Sequence, residues 1–229
     1  MRVLALDAAT EACSVALQWD EQLIERAQIS GKAHSQTLLA MARELLAEAG
    51  LELGALDGIV AGIGPGAFTG VRITVSVAQG LAYGAGLPTV GVTTLEALAI
   101  QAFAGGSARA LACLDARMGE VYWGCFAQPS HGGVEPTTVA RVGPPGGVTL
   151  PGPEQHAGIG RGFAAYPALG GLPGISLTPE AAMALPRARD FARLGVLRFR
   201  LGQGMDPAQL QPLYLRDKVA FTEAERASR

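Results

Sequence analysis

The stretch AGIGPGAFTGVR, residues 61–72, is a glycine-rich loop that follows the apolar run GIVAGIG, residues 58–64. The apolar run is typical of a buried strand. Gly64 and Gly66 would let the backbone approach a ligand closely. The loop lacks the Lys of a G-x-x-x-x-G-K-[ST] phosphate loop and does not complete a dinucleotide-binding unit. Its pattern therefore supports two interpretations equally, a ligand-binding loop and a tight strand-to-helix turn.

The segment after this loop, residues 69–83, is compatible with either a strand or a helix. Its first half alternates apolar and polar residues, and this periodicity by itself favours a strand. A helix would explain the loop in front of it, because helix N-termini bind anions. On a helix, one apolar face would contain Val71, Val75, Ala78 and Ala82, and a second would contain Ile73, Val77 and Leu81.

The composition describes a protein with a substantial core and little net charge. Of 229 residues, 49% are hydrophobic and 17% are charged, and the net charge is −2. This balance excludes a polybasic protein that binds nucleic acid unaided. We therefore expect any contact with RNA to occur only within a complex.

The cysteines and the N-terminus give no sign of an extracellular or membrane protein. Cys13, Cys113 and Cys125 are scattered and form no C-x-x-C pair, so neither a disulfide framework nor a zinc site is indicated. Asp7 interrupts the apolar N-terminal run, which argues against a signal peptide, and no apolar segment is long enough to span a bilayer. We expect a cytoplasmic protein with no membrane contact.

Hydrophobic periodicity and turn residues predict an alternation of strands and helices. The first three strands should form an antiparallel meander. The helix after them should run from near His34 to Gly50, and Thr93 or Thr94 should cap a later helix that has Glu96 in its first turn. The predicted strands cover residues 2–9, 13–20, 22–30, 58–64, 88–92, 108–114 and 120–126, and the predicted helices also cover 93–103 and 185–201.

The looser composition at residues 104–107 predicts a domain boundary. The expected units are an N-terminal lobe, residues 1–105, and a C-terminal lobe, residues 106–229. The last segment, about residues 206–229, is a candidate to pack back on the N-terminal lobe.

A second candidate site lies in LDAATEACSVAL, residues 6–17, where Asp7 ends a strand and Thr10 follows in a turn. A carboxylate here could hold Mg²⁺ through water, and the N–H groups of the turn could face phosphate oxygens. The simpler interpretation is a β-turn in which Asp and Thr satisfy local backbone groups. The residues alone favour the β-turn.

Six segments occur in this order: LALDAATEACSVAL, HSQTLLAMARELLAEAG, LDGIVAGIGPGAFTGVRI, AYGAGLPTVGVTTLEALA, DARMGEVYW and PLYLRDKVA. Together they resemble the TsaB family, also called YeaZ. The match is dense from residue 1 to about 127, loose to about 205, and returns at the tail. No single segment is specific, but the ordered set is.

The resemblance implies an α/β protein of the actin-like and Hsp70-like ATPase superfold, with two lobes that each contain a mixed β-sheet flanked by helices. It implies a helix for residues 69–83. It also implies a non-catalytic subunit in the formation of threonylcarbamoyladenosine beside the tRNA anticodon. The expected partners are TsaD, the catalytic paralogue, as heterodimer partner, and the ATPase TsaE, with a homodimer when the chain is alone. No cofactor is required, and weak binding of ATP or ADP is the most we expect.

The resemblance also implies that the catalytic metal site is lost. TsaD holds its metal with two histidines in a pattern like GVNHLEGH, and the corresponding stretch here is GVTTLEAL. Thr94 and Leu98 stand at the two histidine positions, and leucine cannot bind a metal. The three histidines of the chain, His34, His131 and His156, are expected to be surface or capping residues.

The family resemblance assigns two candidate surfaces. A nucleotide-like cleft would be lined by Asp7, Thr10, Gly64, Gly66 and Asp115. The partner interface would be formed by Leu38, Leu39, Met41, Leu46, Ile73, Val77 and Leu81, although without the family resemblance these apolar faces would be interpreted as buried within the lobe. An arginine stripe, Arg189, Arg193 and Arg200, is interpreted as a solvated helix face rather than a tRNA contact.

The alternative function is a stand-alone ATPase or small-molecule kinase of the same superfold. It requires an intact phosphate and metal site with a catalytic carboxylate in the second lobe. Asp115 is the candidate for that carboxylate, but it also begins a hairpin turn.

Overall fold

The computed structural model describes residues 1–29, 35–130 and 132–216, which form two mixed β-sheets with helices packed on them. The five-stranded first sheet has the order β3-β2-β1-β4-β5, and its strands are β1 Val3–Asp7, β2 Ala12–Trp19, β3 Gln22–Ile29, β4 Gly58–Gly62 and β5 Thr89–Val92. The second sheet contains β6 Arg109–Arg117, β7 Glu120–Ala127, β8 Glu135–Pro136, β9 Arg141–Gly143, β10 His156–Ile159 and β11 Ile175–Ser176. The helices are α1 Ser35–Ala49, α2 Phe68–Ala85, α3 Thr94–Ala104, α4 Gly162–Ala165, α5 Pro179–Ala182 and α6 Ala188–Arg200.

The first three strands form the antiparallel meander that their sequence predicts. Strand β1 is buried along its whole length because helices cover both faces of the sheet. Leu4 and Leu6 point to the core beneath α1 and α2, while Val3 and Ala5 point to the core beneath α6. This alternation along one strand follows from the two-residue period of β-structure.

The segment for which the pattern was ambiguous is the helix α2, so the strand suggested by local alternation is wrong and the helix implied by the family is confirmed. Burial explains the pattern. One apolar face, which includes Val71, Val75 and Ala78, is buried against the first sheet, while the second face is only half-buried. Gly86 ends the helix with a φ of 66°, a conformation that glycine adopts easily.

Two helices each pack on the sheet that the other half of the sequence forms. Thr93, one of the two predicted cap residues, caps α3, and its hydroxyl and the Glu96 carboxylate form a capping box. Helix α3, from the N-terminal half, packs on β6 of the second sheet, whereas α6, from the C-terminal half, packs on β1 and β2 of the first sheet. The predicted boundary at residue 105 therefore separates the sheets but not the helices that cover them, and its exact position stays a prediction.

The chain that follows α6 returns to the first lobe. Met205 exchanges two backbone hydrogen bonds of 2.9 Å with Thr89 at the edge of β5, and Leu210 is buried in the core of that lobe. Within the described ranges, no helix has the length and apolar character needed to cross a membrane.

Candidate functional site

A cleft of about 620 Å³ lies between the two lobes. The β1–β2 turn and the start of α2 form one wall, and the end of β6 and the residues after β10 form the other. Three of the five predicted cleft residues line it, namely Thr10, Gly66 and Asp115. Asp7 and Gly64 do not, so the structure brings together only part of the predicted set.

Asp7 lies beneath the β1–β2 turn and has no exposed surface. Its Oδ1 accepts a 3.3 Å hydrogen bond from the Ala9 N–H, and its Oδ2 is buried with no hydrogen-bond partner among the residues that the structure describes. Burial raises the pKa of this carboxyl to about 7, because desolvation outweighs the hydrogen bonds from Ala9 and Ala8. The carboxyl points into the protein and packs on Gly62, where an added Cβ would lie 2.1 Å from Oδ1. The prediction that Asp7 lines the cleft is therefore wrong.

The glycine-rich loop packs against the β1–β2 turn. A Cβ on Gly66 would lie 2.1 Å from the carbonyl oxygen of Ala9, and that same oxygen accepts a 2.7 Å hydrogen bond from the Ala67 N–H. The Gly64 carbonyl accepts from the Thr94 N–H at 2.8 Å, which fixes the loop to the start of α3. The glycines thus allow close packing of one part of the chain on another, as in the turn interpretation.

The charged side chains of the cleft are paired with one another. Glu11, in the β1–β2 turn, forms an ion pair with Arg161, which follows β10 in the second lobe. Asp115 accepts a 2.8 Å hydrogen bond from the Arg117 N–H and lies 3.1 Å from the Arg117 guanidinium. Asp115 is thereby held by its own hairpin turn. The sequence analysis did not identify Glu11 or Arg161, since a pair 150 residues apart leaves no local pattern.

The two positions that correspond to the metal-binding histidines of TsaD are inside the protein. Leu98 is fully buried in the core between α3 and the second sheet. Thr94 is also buried, and within the described part of the chain its hydroxyl has no hydrogen-bond partner. His156 is buried rather than at the surface as expected, with Nδ1 2.8 Å from the Glu154 carbonyl oxygen.

Among the described residues, no three His, Cys, Asp or Glu side chains are grouped closely enough to hold a metal ion. His34 and His131 lie outside the described residues, and so does the start predicted for the first helix. The residues present do not fit a metal-bound phosphate group, because Asp7 is buried below the turn and the Ala9 N–H donates to Asp7 instead of facing the cleft.

The outer face of α1 and α2 forms the second candidate surface. Leu38 is fully buried in the core of the first lobe, so its side chain is not available to a partner. The other six predicted residues are exposed or half-buried: Leu39, Met41, Leu46, Ile73, Val77 and Leu81. We call these six residues the α1–α2 face.

Two shallow grooves follow the α1–α2 face. Leu39, Leu46 and Leu81 line one of about 450 Å³, and Ile73 and Val77 line another of about 340 Å³. The second groove extends to Phe68 and Arg72, which sequence reasoning missed. A contiguous apolar surface rimmed by polar groups is typical of a protein–protein contact.

Two arginines of the stripe on α6 form ion pairs, Arg189 with β3 of the first lobe and Arg193 within α6. Arg189 donates through Nε to the Glu25 carboxylate at 2.7 Å, and Arg193 lies 3.6 Å from Asp190. Burial raises the pKa of Asp190 to about 6, which the neighbouring arginines only partly offset. The ion pairs were not predicted, and the interpretation as a solvated helix face rather than a tRNA contact stays a prediction.

Three comparisons place the chain among known proteins. The sequence pattern of the family described as TsaD, tRNA N6-adenosine threonylcarbamoyltransferase, matches residues 26–141. The Escherichia coli protein named tRNA threonylcarbamoyladenosine biosynthesis protein TsaB is 38% identical, over 96% of this chain and 97% of its own. The Haemophilus influenzae protein of the same name is 33% identical, over 96% of each chain.

A solved structure agrees with the sequence relatives. YeaZ from Pseudomonas aeruginosa superposes with a TM-score of 0.86 at 39% identity, covering 93% of this chain and 99% of its own. The two mixed sheets with their flanking helices, found together with the TsaD-type domain, are the actin-like and Hsp70-like ATPase fold. The chain therefore belongs to the TsaB (YeaZ) family and carries a TsaD-like domain.

Proposed function

We propose that this protein is a non-catalytic subunit in the threonylcarbamoyladenosine modification of tRNA. In this role it pairs with TsaD, which carries out the transfer, and TsaE joins the assembly. The observation that carries the proposal is the α1–α2 face, which is apolar and without a partner among the described residues. The chain belongs to a family whose named relatives are threonylcarbamoyladenosine biosynthesis proteins, and this membership supports a role in making the modified nucleoside.

The absence of transfer chemistry in this subunit is also part of the proposal. It is supported by Leu98, which fills core space at a position where TsaD places a histidine, and by the burial of Thr94. We expect the double variant Thr94→His with Leu98→His to show no transferase activity alone. Transfer by that variant without TsaD would contradict the claim that the partner supplies the chemistry.

The partner surface has the composition of an interface. Leu39 is 40% exposed, and Met41, Leu46, Ile73, Val77 and Leu81 are half-buried around it. Covering such residues removes apolar area from water, which contributes about 25 cal/mol per Å². The same face can pair with a second copy, so we propose a homodimer for the isolated chain, a cytoplasmic location, and tRNA contact only within the complex.

The test is threonylcarbamoyl transfer to tRNA by TsaD and TsaE, measured with and without this chain. Transfer that needs the chain, combined with an inactive isolated chain, is the expected result. The matched variants are Val77→Glu on the face and Thr149→Glu at an exposed site in the second lobe. Transfer that is indifferent to the chain would refute the role.

A measurement of ATP hydrolysis distinguishes the proposed function from its rival, a stand-alone ATPase or kinase. It requires Asp115 as a free carboxylate, whereas Asp115 is held by the Arg117 N–H and guanidinium. Catalytic turnover of ATP by the purified chain, abolished by Asp115→Asn, would favour this rival.

A further inference from the structure

The chain after α6 is anchored along the first lobe before it reaches the cleft. The side-chain amide of Gln79, on α2, donates to the carbonyl oxygens of Pro207 at 3.0 Å and Leu210 at 3.1 Å. The Leu213 N–H then donates to the carbonyl oxygen of Ile63 at 2.8 Å, within the glycine-rich loop. This path fixes the segment to the first lobe up to residue 213.

Tyr214 continues this attachment at the start of α2. Its hydroxyl accepts a 2.7 Å hydrogen bond from Nε of Arg72. The Arg72 guanidinium lies 3.8 Å from the centre of the Phe68 ring, and the rings of Phe68 and Tyr214 are 5.7 Å apart. Cation–π and hydrogen-bond contacts therefore join Tyr214 to the start of α2, next to the α1–α2 face.

Two residues later the contacts change lobe. Arg216 donates to the carbonyl oxygen of Ala116 at 3.1 Å and forms an ion pair with Glu120. Its guanidinium lies 5.9 Å from the centre of the Tyr122 ring. All three partners belong to the β6–β7 hairpin of the second lobe. The Arg216 side chain is only 17% exposed, so salt screens this ion pair less than a fully exposed one.

A second contact spans the cleft between other elements. The Glu11–Arg161 ion pair connects the β1–β2 turn of the first lobe with the residue after Gly160 in the second. Each side chain of this pair is 33% exposed, so it is more open to water than Arg216. Of the two connections, the one through Arg216 has the less exposed arginine and carries more hydrogen bonds.

We propose that residues 213–216 form an interlobe strap that sets the width of the cleft, with Arg216 as its attachment to the second lobe and Tyr214 as its link to α2. The cleft is then held by contacts of the chain with itself. A partner that moves Arg72 loosens the strap and changes the angle between the lobes. This inference concerns the isolated chain and does not depend on the proposed role in tRNA modification.

The test measures the distance between the lobes by pulsed electron paramagnetic resonance. Spin labels are attached to Glu44→Cys on α1 and Thr149→Cys in the second lobe, both exposed positions, while the three native cysteines are buried. Labelled chains are diluted with unlabelled chains so that a homodimer contributes no distance of its own. We expect Arg216→Ala to broaden the distribution and shift it to longer distances.

The matched control is Arg109→Ala, which removes an ion pair to Glu154 inside the second lobe and should leave the distribution unchanged. Glu120→Gln keeps the side-chain volume and should shift the distance distribution in the same direction. The outcome therefore does not depend on whether Arg216→Ala folds correctly. The strap proposal is refuted if the interlobe distance distributions of both Arg216→Ala and Glu120→Gln superimpose on that of the wild type.

The link to α2 is tested separately with Tyr214→Phe, which keeps the ring and removes the hydroxyl. Loss of one hydrogen bond to a charged group should speed exchange of the Leu213 amide hydrogen by about tenfold. The amide of Val148, bonded to Pro145 within the second lobe, is the internal control. Unchanged exchange at Leu213 would show that the Tyr214 hydroxyl does not link the strap to α2.

Discussion

The interlobe cleft and the α1–α2 face differ in how far contacts within the chain pair their charged groups or cover their apolar side chains. In the cleft, the arginines at 117 and 161 are each paired with a carboxylate, and the carbonyl oxygen of Ala9 occupies the space above Gly66. On the α1–α2 face, Leu39, Val77 and their neighbours remain partly exposed. A surface with unburied apolar area gains free energy from a partner, whereas a self-paired cleft must first break its own contacts.

The largest expected effect lies on the α1–α2 face. Val77→Glu places a carboxylate where the proposed interface would remove it from water, which costs about 3–5 kcal/mol, or roughly two to four orders of magnitude in Kd. Calorimetric titration with TsaD measures it, and Leu39→Glu should behave in the same way. Unchanged affinity in both variants, with Thr149→Glu as the reference, would remove the face from the interface.

The next effect concerns Asp7 and pH. The folded-state pKa of about 7 lies above the ordinary value of 3.8, so the folded state binds a proton more tightly than the unfolded state does. Stability from this group is complete below about pH 4 and is lost as pH rises through 7, by up to about 4 kcal/mol. Denaturant unfolding at several pH values should show that Asp7→Asn flattens this decline.

The matched variant for the pH experiment is Asp190→Asn. Its pKa of about 6 also lies above the ordinary value, so it should flatten the decline less than Asp7→Asn does. Identical pH profiles for Asp7→Asn and the wild type would show that the Asp7 carboxyl is hydrated, and the cleft would then be more open than described.

The third prediction tests the close packing of the glycine-rich loop. Gly66→Ala places a methyl group 2.1 Å from the Ala9 carbonyl oxygen, and we expect it to lower the free energy of unfolding by about 1–3 kcal/mol. Gly80→Ala, inside α2 with no atom within 4 Å of the added carbon, should raise it by about 1 kcal/mol. Equal effects of the two variants in thermal unfolding would argue against the packing role of Gly66.

The smallest effect concerns the low reactivity of the buried cysteines. Burial raises the pKa of Cys113 to about 12 and that of Cys13 to about 11, so neither forms an appreciable thiolate at pH 8. We expect no alkylation by iodoacetamide in the folded protein and complete alkylation in denaturant. Rapid labelling of folded Cys113, read by mass spectrometry, would indicate that the second lobe opens.

The amino-acid sequence determined the local elements and the family. Alternation and turn residues were enough for the meander of β1 to β3, and Thr93, Thr94 and Glu96 were enough to place the start of α3, because both depend on neighbours in the chain. The ordered segments identified the TsaB family and, through it, the fold.

Tertiary structure alone decided which side chains meet. Local alternation suggested a strand for residues 71–77, and the sheet beneath them selected the helix. Asp7 was assigned to the cleft and lies under it, and Leu38 was assigned to the interface and lies in the core. The contacts of Arg161 and Arg216 join residues about 100 or more positions apart. Burial and long-range pairing depend on the packing of distant elements, which no local pattern encodes.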